Sequence, residues 1–187
     1  TYFDKLTART GKSVSELFPD FSVMVHGGVN FAPYRERMMA SIGKGVDTLE
    51  TFPASEGFFA FQDTQQEEGM RLVINDGIFY EFVPLDEIHQ ANPTRLTLEA
   101  VETNRQYALV VSNKAGLWAY NVGDTVKFVS KYPHRVVVTG RIKHYISAFG
   151  EHVIAEEVEH AIREAAQLAG AHIAEFTVAP NITPAEG

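Results

Sequence analysis

Three short stretches carry side chains that could act on a phosphorylated small molecule. Phe52-Pro53-Ala54-Ser55-Glu56 puts a ring, a hydroxyl and a carboxylate within one short motif. The ring offers a stacking surface for a flat base. The hydroxyl can donate to a phosphate oxygen, and the carboxylate can hold a magnesium ion against that phosphate. Tyr120-Asn121-Val122-Gly123-Asp124 ends in an acid behind a glycine. A carboxylate there can accept hydrogen bonds from two vicinal hydroxyls, as acidic residues do for ribose in dinucleotide sites. Gly140-Arg141 supplies a guanidinium fork that could donate to ribose or phosphate. Each stretch also has an ordinary structural reading. These are a loop over a buried phenylalanine with Ser55 as a cap, an Asx turn at Gly123-Asp124, and a surface arginine at a strand end. None decides alone.

Other chemistries fit less well. His152, Glu156 and His160 fall at i, i+4 and i+8, one face of a helix that could seat zinc. The spacing is not that of a metalloprotease helix, and a solvated His/Glu face is the commoner outcome. Ser55 lacks the flanking glycines of a nucleophile elbow. There is no cysteine, which removes disulfides and thiolate chemistry. The net charge is −8 with scattered lysines and arginines, so no basic stripe for nucleic acid is present. A mononucleotide needs only backbone amides and one or two cations. No apolar run approaches the ~20 residues of a membrane span. The expectation is a cytoplasmic protein with neither nucleic-acid nor membrane partners.

The elements that must position these groups read as follows. Residues 21–28, ending in Gly27-Gly28, form a buried strand. A short helix from Pro33 to Gly43 follows, then a strand over 46–52. Residues 56–62 and 70–76 flank a polar turn and suggest a hairpin. Further strands are expected at 78–85, 106–112, 117–124, 125–130 and 135–140, with a corner at Gly123-Asp124. This spacing suggests a small barrel or coiled sheet. From 151 to 169 the apolar period becomes helical. Glu151, Glu156, Glu157 and Glu159 fall in its dipole-favoured first half, with Gly150 as the turn into it. A strand over 172–180 comes last. The expected class is α/β (α+β), with a domain boundary at 141–143 between the strand series of residues 1–140 and a strand–helix–strand unit over 144–187.

The order and spacing of these motifs resemble the adenylate-forming superfamily of acyl-coenzyme A synthetases, adenylation domains and luciferases. Within it the sequence is most similar to the auxin-responsive Gretchen Hagen acyl-acid amido synthetases. Phe52 to Glu56 matches that superfamily's Tyr-Gly-x-Thr-Glu element, with phenylalanine for tyrosine and serine for threonine. Ala115-Gly116-Leu117-Trp118-Ala119-Tyr120-Asn121-Val122-Gly123-Asp124 resembles Ala-Gly-Leu-Tyr-Arg-Tyr-Arg-Val-Gly-Asp. Phe79-Tyr80-Glu81-Phe82-Val83-Pro84 resembles Tyr-Phe-Glu-Phe-Leu-Pro. Gly140-Arg141-Ile142-Lys143 fits the hinge element, and His26-Gly27-Gly28-Val29 the Gly-Gly-Ala loop.

The resemblance implies an acid-activating ligase that uses ATP and Mg2+, forms an acyl-adenylate, and passes the acyl group to an amine such as an amino acid. Coenzyme A is the alternative acceptor, and a non-catalytic nucleotide-binding domain the alternative class. The same resemblance implies a mixed sheet with a small β-barrel over residues 1–140, a hinge at 141–143, and the start of a smaller domain over 144–187. Gly27 and Gly28 would line the adenine or acyl pocket. Phe52 would flank adenine, Ser55 would touch the α-phosphate, and Glu56 would bind magnesium. Asp124 and Arg141 would hold the ribose hydroxyls, and Lys143 would be the hinge. The family's phosphate loop and catalytic lysine have no counterpart in these 187 residues. The expectation is therefore a fragment that contains no catalytic residue and is inactive alone.

Overall fold

The computed structural model describes residues 2–28, 31, 34–142, 146–148, 151–153, 155–171, 173, 176 and 178, with backbone only for 146–148, 151–153, 155 and 156. The elements run α1 (Tyr2–Thr10), α2 (Val14–Leu17), β1 (Val23–Gly27), α3 (Arg35–Ile42), β2 (Asp47–Ala54), β3 (Gly57–Phe61) and β4 (Met70–Leu72). Then come β5 (Ile78–Pro84), β6 (Gln106–Asn113), β7 (Tyr120–Lys131), β8 (His134–Arg141), β9 (Ile146–Ala148), β10 (Glu151–Val153) and α4 (Ala155–Ala169). Eight strands form one mixed sheet in the order β1-β2-β3-β4-β8-β7-β6-β5, and β9 pairs with β10 apart from it. β1 and β2 are parallel, with α3 as their crossover helix. The other described strand-to-strand pairings are antiparallel, and Thr103 forms an isolated parallel bridge with Phe128. This is the mixed α/β class expected. Among the described residues no helix is long and apolar enough to cross a membrane.

The chain divides into two compact units, residues 1–77 with 129–137, and residues 78–128 with 138–187. In the first, Phe52, Phe59, Ala60, Met70, Leu72 and Val136 are buried on the strands, and Ile42 on α3. In the second, β5 and β6 pair without a break from Ile78↔Asn113 to Pro84↔Tyr107. Alternation sends Phe82, Tyr107 and Phe128 inward, where their rings meet edge to face at 4.9 to 6.2 Å. The hydroxyl of the fully buried Tyr107 accepts from the Glu102 N–H at 2.9 Å, so its polar tip is satisfied. Truncating one such ring to alanine costs about 3–5 kcal/mol.

Most expected elements appear near their expected places, including the 56–76 hairpin, where Ala60 pairs with Leu72 and Phe61 with Arg71. Four points differ. Helices α1 and α2 have no counterpart among the expected elements, although Ser13 and Glu16 form a reciprocal capping box at the start of α2. The two strands expected either side of Gly123-Asp124 are one strand, β7, so no corner exists there. Glu151 and His152 belong to β10, paired with Ala148 and Ser147, and not to the helix. The helical spacing of His152, Glu156 and His160 therefore does not exist, and Glu151 is not at a helix N-terminus. Pro33, Lys143, Gly150 and most of the strand expected over 172–180 lie outside the described residues.

Candidate functional site

In the second unit the sequence signal Val-Gly-Asp becomes a bulge. Ala108 pairs with Thr125 and Val110 with Asn121, so four steps along β7 answer two along β6. The excess is absorbed around Gly123, whose φ of +88° suits glycine. The Asn121 side chain fastens the bulge by accepting from the Gly123 N–H at 2.9 Å. A second break lies on β8, where Gly140 has a φ of +142°.

These two breaks explain a geometry that a regular ladder forbids. Strict alternation would put Thr139 and Arg141 on one face of β8, and Asp124 and Thr125 on opposite faces of β7. Yet Thr125 Oγ1 lies 2.9 Å from Thr139 Oγ1, and Arg141 Nε lies 2.9 Å from Asp124 Oδ1. Both contacts hold because the glycines re-aim the residues beside them. The Asp124 side chain is 8% exposed, while that of Arg141 is 51% exposed. The negative end of the pair is fixed inside and its positive end faces solvent. Gly123 leaves the guanidinium room to lie across the bulge: a Cβ there would stand 4.0 Å from Arg141 Nη1.

In the first unit the candidate groups sit on two adjacent turns. Gly27 pairs with Thr51 across the parallel β1–β2 ladder. A Cβ on Gly27 would collide with the Thr51 carbonyl oxygen and come within 2.8 Å of its hydroxyl, so only glycine fits. That hydroxyl donates to the His26 carbonyl at 2.9 Å. Gly28 follows with a φ of +84° and open space around it. One strand over, β2 runs on through Pro53, which is tolerated because the register shifts between Phe52 and Pro53. Ala54 pairs with Gly57, so Ser55 and Glu56 are the two-residue turn of the β2–β3 hairpin. Ser55 is exposed and Glu56 half-buried. Phe52 is only 6% exposed and packs edge to face on Phe59 at 5.1 Å, so its ring serves the core of this unit.

One group near these turns was not singled out. The His26 ring stacks on Phe31 at 4.2 Å, and the Arg35 guanidinium lies 5.9 Å from the Phe31 centroid. Burial, with Arg35 adding repulsion, holds His26 below the ordinary histidine range. Its Nδ1 is buried without a hydrogen-bond partner among the described residues. The signal was present: a histidine immediately before the Gly-Gly turn, with an aromatic residue five positions on.

Within each unit the structure brings candidates together, Asp124 with Arg141 in one, and the Gly27-Gly28 turn beside the strand carrying Phe52 in the other. Comparison with known proteins finds similarity over part of the sequence and over the fold. Residues 71–141 match the GH3 family central domain. A solved GH3.15 acyl acid amido synthetase superposes with a TM-score of 0.66 at 17% identity, covering 83% of this chain and 28% of that one. A 2-hydroxyisobutyryl-CoA ligase in its postadenylation state gives 0.58 at 13%, covering 86% and 34%. Apo MatB from Rhodopseudomonas palustris gives 0.53 at 13%, covering 84% and 32%. At these identities the superpositions speak for fold, and the chain spans about a third or less of each neighbour. The segment from Arg71 to Arg141, which includes Asp124, is thus similar to the GH3 family central domain, and the fold is like that of the solved ligases named above.

Proposed function

We propose that the protein carrying this chain is an ATP-dependent, acyl-adenylate-forming ligase that conjugates a carboxylic acid to an amine, with an amino acid as the acceptor. The observation that supports this best is the Asp124–Arg141 pair, a buried carboxylate with a half-exposed guanidinium, inside the segment of GH3 similarity. In the first step a carboxylate oxygen of the acid attacks the α-phosphorus of ATP. A P–O bond forms there as the bond to the leaving pyrophosphate breaks. In the second step the amine attacks the acyl carbon and AMP departs with the bonding electrons.

The chain's residues have separable roles in this reading. Asp124 accepts from the ribose hydroxyls while Arg141 donates to them, both held by the bulge before any ligand arrives. Ser55 donates to the α-phosphate from the β2–β3 turn. The backbone of Gly27 and Gly28 lines the adenine or acyl pocket, where a side chain at Gly27 has no room. Phe52, buried as it is, acts as a wall behind adenine and not as a free stacking face. Glu56 fits magnesium as a single oxygen donor, the kind that shares the ion with substrate phosphates. Among the described residues no cluster of three or more His, Asp or Glu could cage the ion alone. When bound, the ion would neutralise phosphate charge. Lys143 remains the proposed pivot between adenylation and transfer.

The test is pyrophosphate exchange by the full-length protein against a panel of carboxylic acids, followed by product analysis with amino acids and with coenzyme A. Acid-dependent exchange and an amide product are expected. A thioester product would assign the coenzyme A alternative. Nucleotide binding without exchange would assign a non-catalytic domain. Asp124→Ala should weaken ATP by about 1.5–3 kcal/mol, the range for hydrogen bonds to a charged group. Unchanged affinity in a folded variant removes the ribose role.

A further inference from the structure

We infer that Thr125, Thr139 and Gln106 form a buried positioning chain that sets the geometry of the Asp124–Arg141 pair; its value for nucleotide binding rests on the reading above. Thr125 and Thr139 are 3% and 4% exposed. Their hydroxyl oxygens are 2.9 Å apart, and Thr139 Oγ1 donates to Gln106 Oε1 at 2.8 Å. A hydroxyl has one proton. Since Thr139 gives its proton to Gln106, Thr125 must give its own to Thr139. The direction of the chain is thereby fixed from β7 through β8 to β6.

Its position in the sequence gives it leverage. Thr125 directly follows Asp124, and Thr139 lies one residue before the Gly140-Arg141 pair. Between the chain and the ion pair stand only peptide bonds and Gly140, which is left-handed at +142°. Glycine alone is permissive there and would not hold Arg141 in one direction. The hydroxyl contact ties β7 to β8 next to Asp124 and two residues before Arg141, so the drift of Arg141 against Asp124 is limited from behind. A buried hydroxyl pair is also costly to half-satisfy, which makes the arrangement a single well-defined state.

The variant that isolates this is Thr139→Val, which keeps shape and removes the hydroxyl. Thr139→Ser restores the hydroxyl, and Gln106→Met removes the terminal acceptor at the less buried end, a fallback if the valine variant does not fold. Two readouts are taken on the full-length protein. The first is hydrogen exchange of the Arg141 Nε–H by NMR without ligand, which reports the pair itself. The second is AMP affinity by calorimetry. Thr139→Val should lose Arg141 protection by about 5- to 10-fold, the scale of one neutral hydrogen bond, and AMP affinity should fall by a similar factor. Thr139→Ser should return both, and Gln106→Met should show the same changes at smaller size. If Arg141 protection is unchanged in the valine or methionine variant, the positioning role is overturned, whatever AMP does. If protection falls while Asp124→Ala leaves AMP affinity intact, the positioning chain stands and the nucleotide reading fails.

Discussion

Among the described residues each unit buries one charged side chain, and the two are built in opposite ways. In the first, the Arg135 side chain is 6% exposed and enclosed by acceptors. Its Nη1 donates to Asp63 Oδ1 at 2.6 Å. Its Nε lies 2.7 Å from Glu67 Oε2, close enough to pair but out of line for a hydrogen bond. The Gly69 carbonyl closes the set at 3.5 Å. In the second, Asp124 is equally buried, but its partner Arg141 is half in solvent and lies beside two left-handed glycines. The comparison separates a staple from the proposed site. An ion closed in by partners from its own chain has its field spent on the fold. An ion whose partner reaches water keeps donors that a ligand can meet.

The largest effect expected from this difference is on stability. Arg135→Met removes the cation shared by Asp63 and Glu67 and leaves Asp63 with Arg71, whose Nη1 lies 3.4 Å from its Oδ2. Burial alone would raise the Asp63 pKa, and the Arg135 hydrogen bond and charge outweigh it and pull it below the usual carboxylate range. Breaking such a buried pair costs about 3 kcal/mol, the lower end of the usual range because Glu67 can rehydrate. Urea unfolding should show this loss, with AMP affinity in the folded fraction unchanged. A folded Arg135→Met variant that loses AMP binding selectively would erase the distinction between staple and site.

Next in size is the matching change on the other side. Arg141→Gln should cost only about 1 kcal/mol of stability, because water can reach the place of a half-exposed guanidinium. Nucleotide affinity should fall by more than stability does. If urea unfolding finds Arg141→Gln as destabilising as Arg135→Met, the Asp124–Arg141 pair is a second staple and the comparison collapses.

How far the sequence reveals this depends on whether a signal is local. The hairpin at 56–76, the alternating β5 strand and the Gly43 stop of α3 are set by nearest neighbours, and they are legible. The α2 capping box, Ser13 with Glu16 three residues on, is equally local. Gly123-Asp124 misled because a bulge and a corner share the same local chemistry; only the pairing of β6 with β7 tells them apart. The Asp124–Arg141 contact was reached through resemblance, since nothing local joins residues seventeen positions apart. The Thr125–Thr139–Gln106 chain had no sequence signal, because threonines at strand positions ordinarily read as β-branched filling. Phe52 as a free stacking face follows from its type, whereas its burial against Phe59 depends on the β2–β3 register.

The smallest effect concerns a third ionisable group, the partly buried Glu50 on β2. Its backbone N–H donates to Gln62 Oε1 at 3.1 Å, and burial pushes its carboxyl above the ordinary value. The folded-state pKa therefore lies above the unfolded one. Between the two, the native carboxyl still holds a proton that the unfolded chain has released. The native state then binds more protons, and stability falls as pH rises through this window. The contribution is complete below about pH 4.3, the unfolded value, and is lost as pH passes the raised one. Glutamine at this position keeps the shape and does not titrate. Thermal unfolding of Glu50→Gln should match wild type near pH 4 and exceed it progressively toward pH 7. Arg135→Met should show a different pH profile, because Asp63 is shifted the other way: the stability its pairing supplies is present above the unfolded carboxylate value and lost as pH falls. Parallel melting curves for Glu50→Gln and wild type across pH 4 to 7 would mean that Glu50 is solvated in the native state. The contrast among Arg135, Asp124 and Glu50 would then reduce to the two paired ions.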